Sequence, residues 1–284
     1  PGPVVFDILT FSVVTSLSMP TVVFFFLMIR RPPRSTPFPY TPLFRSFLPR
    51  QLKTGDNEEA RRTQDKAVEY GILLSLPAAV MLVILAEPII NILFQHGKFG
   101  AHDTVMTANA LIAYAVGLPL YVVVKALAPN FFARGDTKTP VKYSVVVLIA
   151  NIVFALLLMK PFGHVGIAAA TTLAAVISLW QYVRGLKKRA YWQFSPELVK
   201  KILLIALSSL LMGIIMLGIQ TGINFGFGNW LAFPVLPKIA VLGLLGILGL
   251  ASFLLFAKLT RVLDISEILK MLKRKRKNNA KVSV

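Results

Sequence analysis

The sequence contains no cysteine among its 284 residues. Disulfides, thiolate nucleophiles and cysteine-ligated metals are therefore excluded, and the redox compartment cannot be read. Acidic residues are scarce too, with 12 Asp and Glu against 31 Lys and Arg and a net charge of +19. The three histidines, His96, His102 and His164, show no HExxH or comparable spacing, so no metal centre is expected. A glycine-rich phosphate loop, a Ser-His-Asp set and a paired acid and base are also missing. An enzyme is not expected, and no cofactor is implied.

What is present is apolar. Hydrophobic residues make up 56% of the chain, and its mean hydropathy is +0.70, well beyond an ordinary soluble globule. In a soluble chain the excess of cations would point to nucleic acid. Here the cations gather at the edges of apolar runs and in the tail, which is the pattern of topology signals and anionic-lipid contacts. The expected fold is all-α and integral to a membrane, with anionic lipids as partners and no nucleic acid.

Residues 1–46 look foreign to the rest of the chain. Residues 8–29 are uncharged and long enough to span a bilayer, although Pro20 and many Ser, Thr and Val residues make a poor helix. Residues 30–46, RRPPRSTPFPYTPLFRS, hold too many prolines for a helix or sheet interior. A signal peptide fits badly, because the positive charge follows the apolar run. The block from Phe24 to Ser46 resembles a translated sequencing-adapter read-through, and the coherent frame is expected to join near Phe47. The alternative is an authentic first span with a Pro-rich linker.

From residue 47 the pattern is regular. Residues 47–67 read as an amphipathic lead-in helix with Asp56 as N-cap, Glu59 at the third helical position, and i, i+4 pairs Glu58–Arg62 and Arg61–Asp65. Six spans follow, at about 68–94, 104–132, 141–159, 165–183, 202–219 and 239–257. Four of them lie in 68–183, and a loop with two more fills 184–257. Residues 258–284 form a basic tail that includes KRKRK at 273–277. The cation-rich segments alternate with loops offering only Lys98, Lys160 and Lys238, so the positive-inside rule makes the lead-in, the 133–140 and 184–201 loops and the C-terminus cytoplasmic. Tyr70, Trp180, Tyr182, Tyr191, Trp192 and Trp230 fall where an interfacial aromatic belt is expected. The small residues of GIAAATTLAA (166–175) and Gly243, Gly246 and Gly249 should let helices approach closely.

Between the second and third spans lies a polar hinge, KALAPNFFARGDTKTPVK (125–142). Pro129 and Pro140 set its ends, Gly135-Asp136 supplies a turn, and Arg134, Lys138 and Lys142 add charge. Asp136, with Arg134 and Lys138, is a candidate lock between the flanking helices.

The hinge, the segment LVILAEPIINILFQHGKF (82–99), the run ALIAYAVGLPLYVVVKALAPNFFARGDTKTPVK (110–142) and GHVGIAAATTLAA (163–175) together resemble the lipid II flippase family MurJ/MviN, within the multidrug, oligosaccharidyl-lipid and polysaccharide exporters. The resemblance covers Phe47 to the tail. It implies a six-helix C-terminal part of a fourteen-helix, two-lobe exporter in a bacterial inner membrane, corresponding to helices nine to fourteen, with a lipid-linked glycan carried by alternating access. The expected cargo is lipid II or another polyprenyl-pyrophosphate-linked glycan, and the N-terminal lobe is a required partner. A related polysaccharide-lipid exporter, a non-transporting scaffold or an inactive truncated product are the alternatives.

Four residues stand out as substrate or coupling candidates. Lys125 is the basic residue inside a span, and it matches the family's KxLAP stretch. It can face a pyrophosphate or snorkel to the interface. Glu87, before Pro88, can be a protonatable coupling group or an interfacial carboxylate. Asn151 and Thr171 fall at similar depth, so a hydrogen bond between antiparallel neighbours is expected. A cation site there would lack carboxylates, and the coupling ion is left open.

Overall fold

The computed structural model describes residues 57–260 except 229. The expectations for residues 1–46, the Asp56 cap and the 261–284 part of the tail lie outside the described residues. Helix α1 spans Asn57–Phe94. The described part of the lead-in, residues 57–67, forms the first turns of α1, since no proline interrupts the helix before Pro77. At 38 residues it is about 57 Å long, well beyond a hydrocarbon core, so part of it stands in or above the interface.

Helix α2 is Ala101–Leu127, and the Asp103 carboxylate accepts from the Gly100 amide at its start (2.9 Å). Pro129 offsets the helical run without ending it. Ala128 stays helical (φ −55°, ψ −41°), and the short α3, Pro129–Ala133, follows at once. The run stops at Gly135, whose φ of 75° closes the turn. Helix α4 covers Lys138–Lys188, with Pro140 tolerated in its first turn.

At 51 residues α4 would be about 77 Å long if straight, too long for one crossing. Gly163, at φ 57° and ψ −134°, folds it into two arms, 138–162 and 164–188. The arms run back to back: Gly166 sits against the Leu158 carbonyl and Gly185 against the Tyr143 hydroxyl, leaving no room for a Cβ at either glycine. The third and fourth expected spans are these two arms. Helix α5 is Pro196–Phe227, capped by Ser195 Oγ, which accepts from the Leu198 amide (3.2 Å), with Pro196 at its first position. A 3-10 turn, Trp230–Ala232, leads into α6, Val235–Leu259.

Helices α2, α5 and α6 all pack on α1, and α4 packs on α2. The bundle is built around Val68, Leu127, Phe131, Leu186, Ile205, Met212 and Leu245. Close approach at the small-residue run is real. A Cβ on Gly117 would lie 2.7 Å from Thr172 Oγ1, and that hydroxyl donates to the Ala113 carbonyl (2.6 Å). In α6, Gly249 lies against Met216, whose Sδ would be 2.6 Å from an added Cβ, whereas Gly243 borders open space. Along α4, Val145, Ile149, Ile152, Val153, Leu156 and Leu157 are exposed, a surface suited to hydrocarbon. The aromatic belt is smaller than expected. Trp180 and Tyr70 are exposed, but Tyr182, Trp192 and Trp230 are buried because packing between helices claims their rings.

Candidate functional site

The 125–142 hinge and the 189–201 segment lie at one end of the bundle, here the hinge end, with the Gln95–Gly100 loop, residues 160–164 and 230–238 at the far end. Phe131 of α3 is fully buried at the centre of the hinge. The rings of Tyr143, Tyr182 and Tyr191 meet it edge-on, at centroid distances of 6.0, 5.6 and 6.3 Å. One turn on, the Arg134 guanidinium donates to the Asn130 carbonyl and Oδ1 (both 3.1 Å) and to the Tyr191 carbonyl (3.4 Å), and it lies 4.3 Å from the Tyr191 ring centre.

Asp136 is paired with a cation other than the two expected. Asp136 pairs with Arg189 (2.8 Å), not with Arg134 or Lys138. Arg134 is already engaged by Asn130 and Tyr191, Lys138 is exposed, and the reversal at Gly163 brings residue 189 back beside the hinge. The other Asp136 oxygen accepts from the Thr139 amide (3.0 Å), while Arg189 donates to Thr139 Oγ1 (2.7 Å). Partial burial pushes the Asp136 carboxyl up. Its hydrogen bonds with Thr139 and the charges of Arg189 and Lys142 outweigh that, so it titrates below its ordinary range.

The segment after Arg189 acts as a strap. Trp192 Nε1 donates to Asp65 Oδ1 (2.6 Å), and Ser195 Oγ donates to Asp65 Oδ2 (3.0 Å). Asp65 is thus directed across the bundle to the strap and away from the expected Arg61 pair, whereas Glu58–Arg62 does form, at 3.4 Å. One turn further along α1, Glu69 receives Lys201 Nζ on both oxygens (2.8 and 2.7 Å), and Gln64 donates to the Ala126 carbonyl of α2 (2.8 Å). Glu69 and Gln64 are paired here, as their desolvation demands, whereas the buried Asn130 of the hinge keeps its Nδ2 without a partner.

The substrate and coupling candidates are not brought together. Lys125 is exposed in the last turn of α2 and Glu87 is exposed near the far end of α1. The expected Asn151–Thr171 hydrogen bond is absent. The Thr171 hydroxyl donates to Ile167 O in its own helix (3.1 Å), the usual backbone-directed choice of a helical threonine, and Asn151 Oδ1 is buried without a partner. Thr171 instead meets α2 through its carbonyl, which accepts from Tyr121 (2.8 Å), one turn from Lys125.

The residues that join the strap to α1 and the hinge carried other readings in the sequence: Tyr191 and Trp192 as belt aromatics, Asp65 as the local partner of Arg61, Arg189 and Lys201 as topology charges, and Glu69 none. The available signal was Asp65 and Glu69 spaced i, i+4 where a polar helix enters an apolar run. Their partners lie more than 120 residues away, beyond any local pattern.

Five helices here are long and apolar enough to cross a membrane, and one of them folds into two arms. Together with the polar ties at the hinge end, they define a multi-pass, all-helical membrane protein. The sequence profile described as "Lipid II flippase MurJ" matches residues 40–236, and the chain belongs to that family. The matched segment begins seven residues before the junction expected at Phe47 and stops at the start of α6. The chain is 44% identical over 127 residues to the probable lipid II flippase MurJ of Rickettsia prowazekii (strain Madrid E), covering 45% of this chain and 25% of that protein. It is 34% identical over 166 residues to that of Rhizobium tropici (58% and 31%). With that of Rhizobium meliloti (strain 1021) it shares 32% over 188 residues (66% and 34%). The chain thus spans between a quarter and a third of these curated relatives. Its fold is similar to a solved lipid II flippase MurJ in an inward closed conformation, with TM-score 0.58 and 23% identity, covering 76% of this chain and 43% of that one.

Proposed function

We propose that this chain is the C-terminal part of a transporter that moves lipid II, an undecaprenyl-pyrophosphate-linked peptidoglycan precursor, across the bacterial inner membrane by alternating access, without covalent chemistry. The observation that carries this reading is the family match over 40–236, supported by the likeness of fold. The activity belongs to a complete protein, because a central cavity needs two lobes and the helices here supply part of one. The N-terminal lobe is then the obligatory partner. Charge distribution supports a cytoplasmic hinge end and C-terminus, with Lys138, Lys142, Arg184, Lys187 and Lys188 facing anionic headgroups.

Lys125 is the proposed contact for the pyrophosphate. It is exposed close to the hinge end, and its long stem lets the ammonium reach a phosphate at the interface. Glu87, Asn151 and Thr171 remain coupling candidates, with Asn151 Oδ1 as the unpartnered acceptor. The test is lipid II translocation by the complete protein carrying Lys125→Ala. Transport should fall at least tenfold while membrane insertion and amount stay normal. Undiminished transport would remove Lys125 from the substrate path.

A further inference from the structure

Helix α1 is tied to the last two helices at both of its ends. At the hinge end Glu69 pairs with Lys201 at the start of α5, and Asp65 holds Trp192 and Ser195 of the strap just before it. At the far end Lys238, in the first turn of α6, donates to Asn91 Oδ1 (2.9 Å). Asn91 donates in turn to Gln95 Oε1, which also accepts from Thr104 of α2 (3.2 Å). Glu69 and Asn91 are 22 residues apart on one helix, about 33 Å, close to the ~30 Å thickness of a hydrocarbon core. Both ties therefore sit at interfaces, where polar groups keep their hydration while joining helices. Between them α1 is locked to α5 and α6 by buried Ile205, Met212, Met216 and Leu245.

The α4 hairpin is held differently. At the hinge end it is clasped through Asp136–Arg189, Arg189–Thr139 and the ring cluster around Phe131. At mid-depth its second arm bonds to α2 through Thr172 and the Thr171 carbonyl. Beyond that, residues 160–164 are all exposed, and among the described residues they make no side-chain hydrogen bond or ion pair to another element.

We propose that α5 and α6 are a brace that holds α1 as one rigid body between the two membrane surfaces, and that the α4 hairpin, pinned at the hinge end, swings at its far end. The proposal rests on the placement of the ties and is independent of the cargo, so a failure of lipid II transport would leave it standing.

The sequence lacks cysteine, so spin labels can be placed without removing native thiols. The exposed Leu93 on α1, Leu236 on α6 and Phe162 at the α4 turn serve as sites. Pulsed electron–electron resonance on the full chain in lipid nanodiscs would compare the L93C/L236C and L93C/F162C pairs. The first distance distribution should be narrow and the second at least twice as wide. Lys238→Met should widen the first pair alone, and Lys238→Arg should leave it narrow. A first pair as wide as the second, or one unmoved by Lys238→Met, would overturn the brace. The comparison without Lys238 substitutions decides the matter even if those variants do not fold.

Discussion

Arg189 reaches three residues of the hinge from outside it. It pairs with Asp136, donates to Thr139 and lies 5.4 Å from the centre of the Phe131 ring. Both charged groups are partly exposed, so solvent screening limits the pair, and a coupling of about 0.5–1.5 kcal/mol is expected. A double-mutant cycle with Arg189→Gln and Asp136→Asn, read by thermal unfolding in detergent, should show that coupling; strictly additive effects would contradict it. The pH dependence has a definite sign. The Asp136 carboxyl is held below its ordinary value near 3.8, so its stabilisation is complete above that value and disappears as pH falls through the lower folded value. Asp136→Asn should therefore remove part of the acid sensitivity that appears as pH falls below the ordinary carboxylate value. An unchanged acid profile would show that the pair does not form. Sequence spacing pointed to Asp136 but to the wrong cation, because residue 189 becomes a neighbour only after the chain has folded back at Gly163.

At the scale of elements, the apolar runs were legible because hydrocarbon thickness dictates their length, and each expected span corresponds to a helix or to one arm of α4. Two features were not. Residues 57–67 of the lead-in are continuous with the span in α1, since nothing local marks a boundary between a polar helix and the span it continues. The strap over 189–195 carries no periodic pattern, and its contacts to Asp65 and the hinge exist only in three dimensions. The small residues near Gly166 were read correctly as a close-packing surface, and they yield a sharp expectation. Any side chain at Gly166 collides with the backbone carbonyl of Leu158, which cannot swing aside as a flexible side chain can. Gly166→Ala should destabilise by about 1–3 kcal/mol through overpacking of the hairpin. Gly243→Ala, in open space within α6, should instead stabilise, by up to about 1 kcal/mol through helix propensity. Equal effects in thermal unfolding would mean that the arms are not packed as described.

At the scale of the whole molecule, α1 packs against α2, α5 and α6, α2 is tied by side chains near both ends of α1, and α4 presents a long apolar face. Family identity was legible from short stretches such as KALAPNFFARGDTKTPVK, whose prolines, glycine and charges together are hard to produce by chance. Candidate positions far apart in the chain were legible only singly: Lys125, Glu87, Asn151 and Thr171 make no hydrogen bond or ion pair with one another among the described residues, because residue type reveals cost in a membrane but not direction. The most direct measurement is replacement. Residues 47–284 would be grafted in place of the matching part of a complete lipid II flippase, in cells depleted of their own flippase, and lipid II translocation followed. The chimera should restore translocation and growth, and the ungrafted chain should do neither. A chimera that inserts in normal amount yet moves no lipid II would contradict the assignment of this segment to the flippase mechanism.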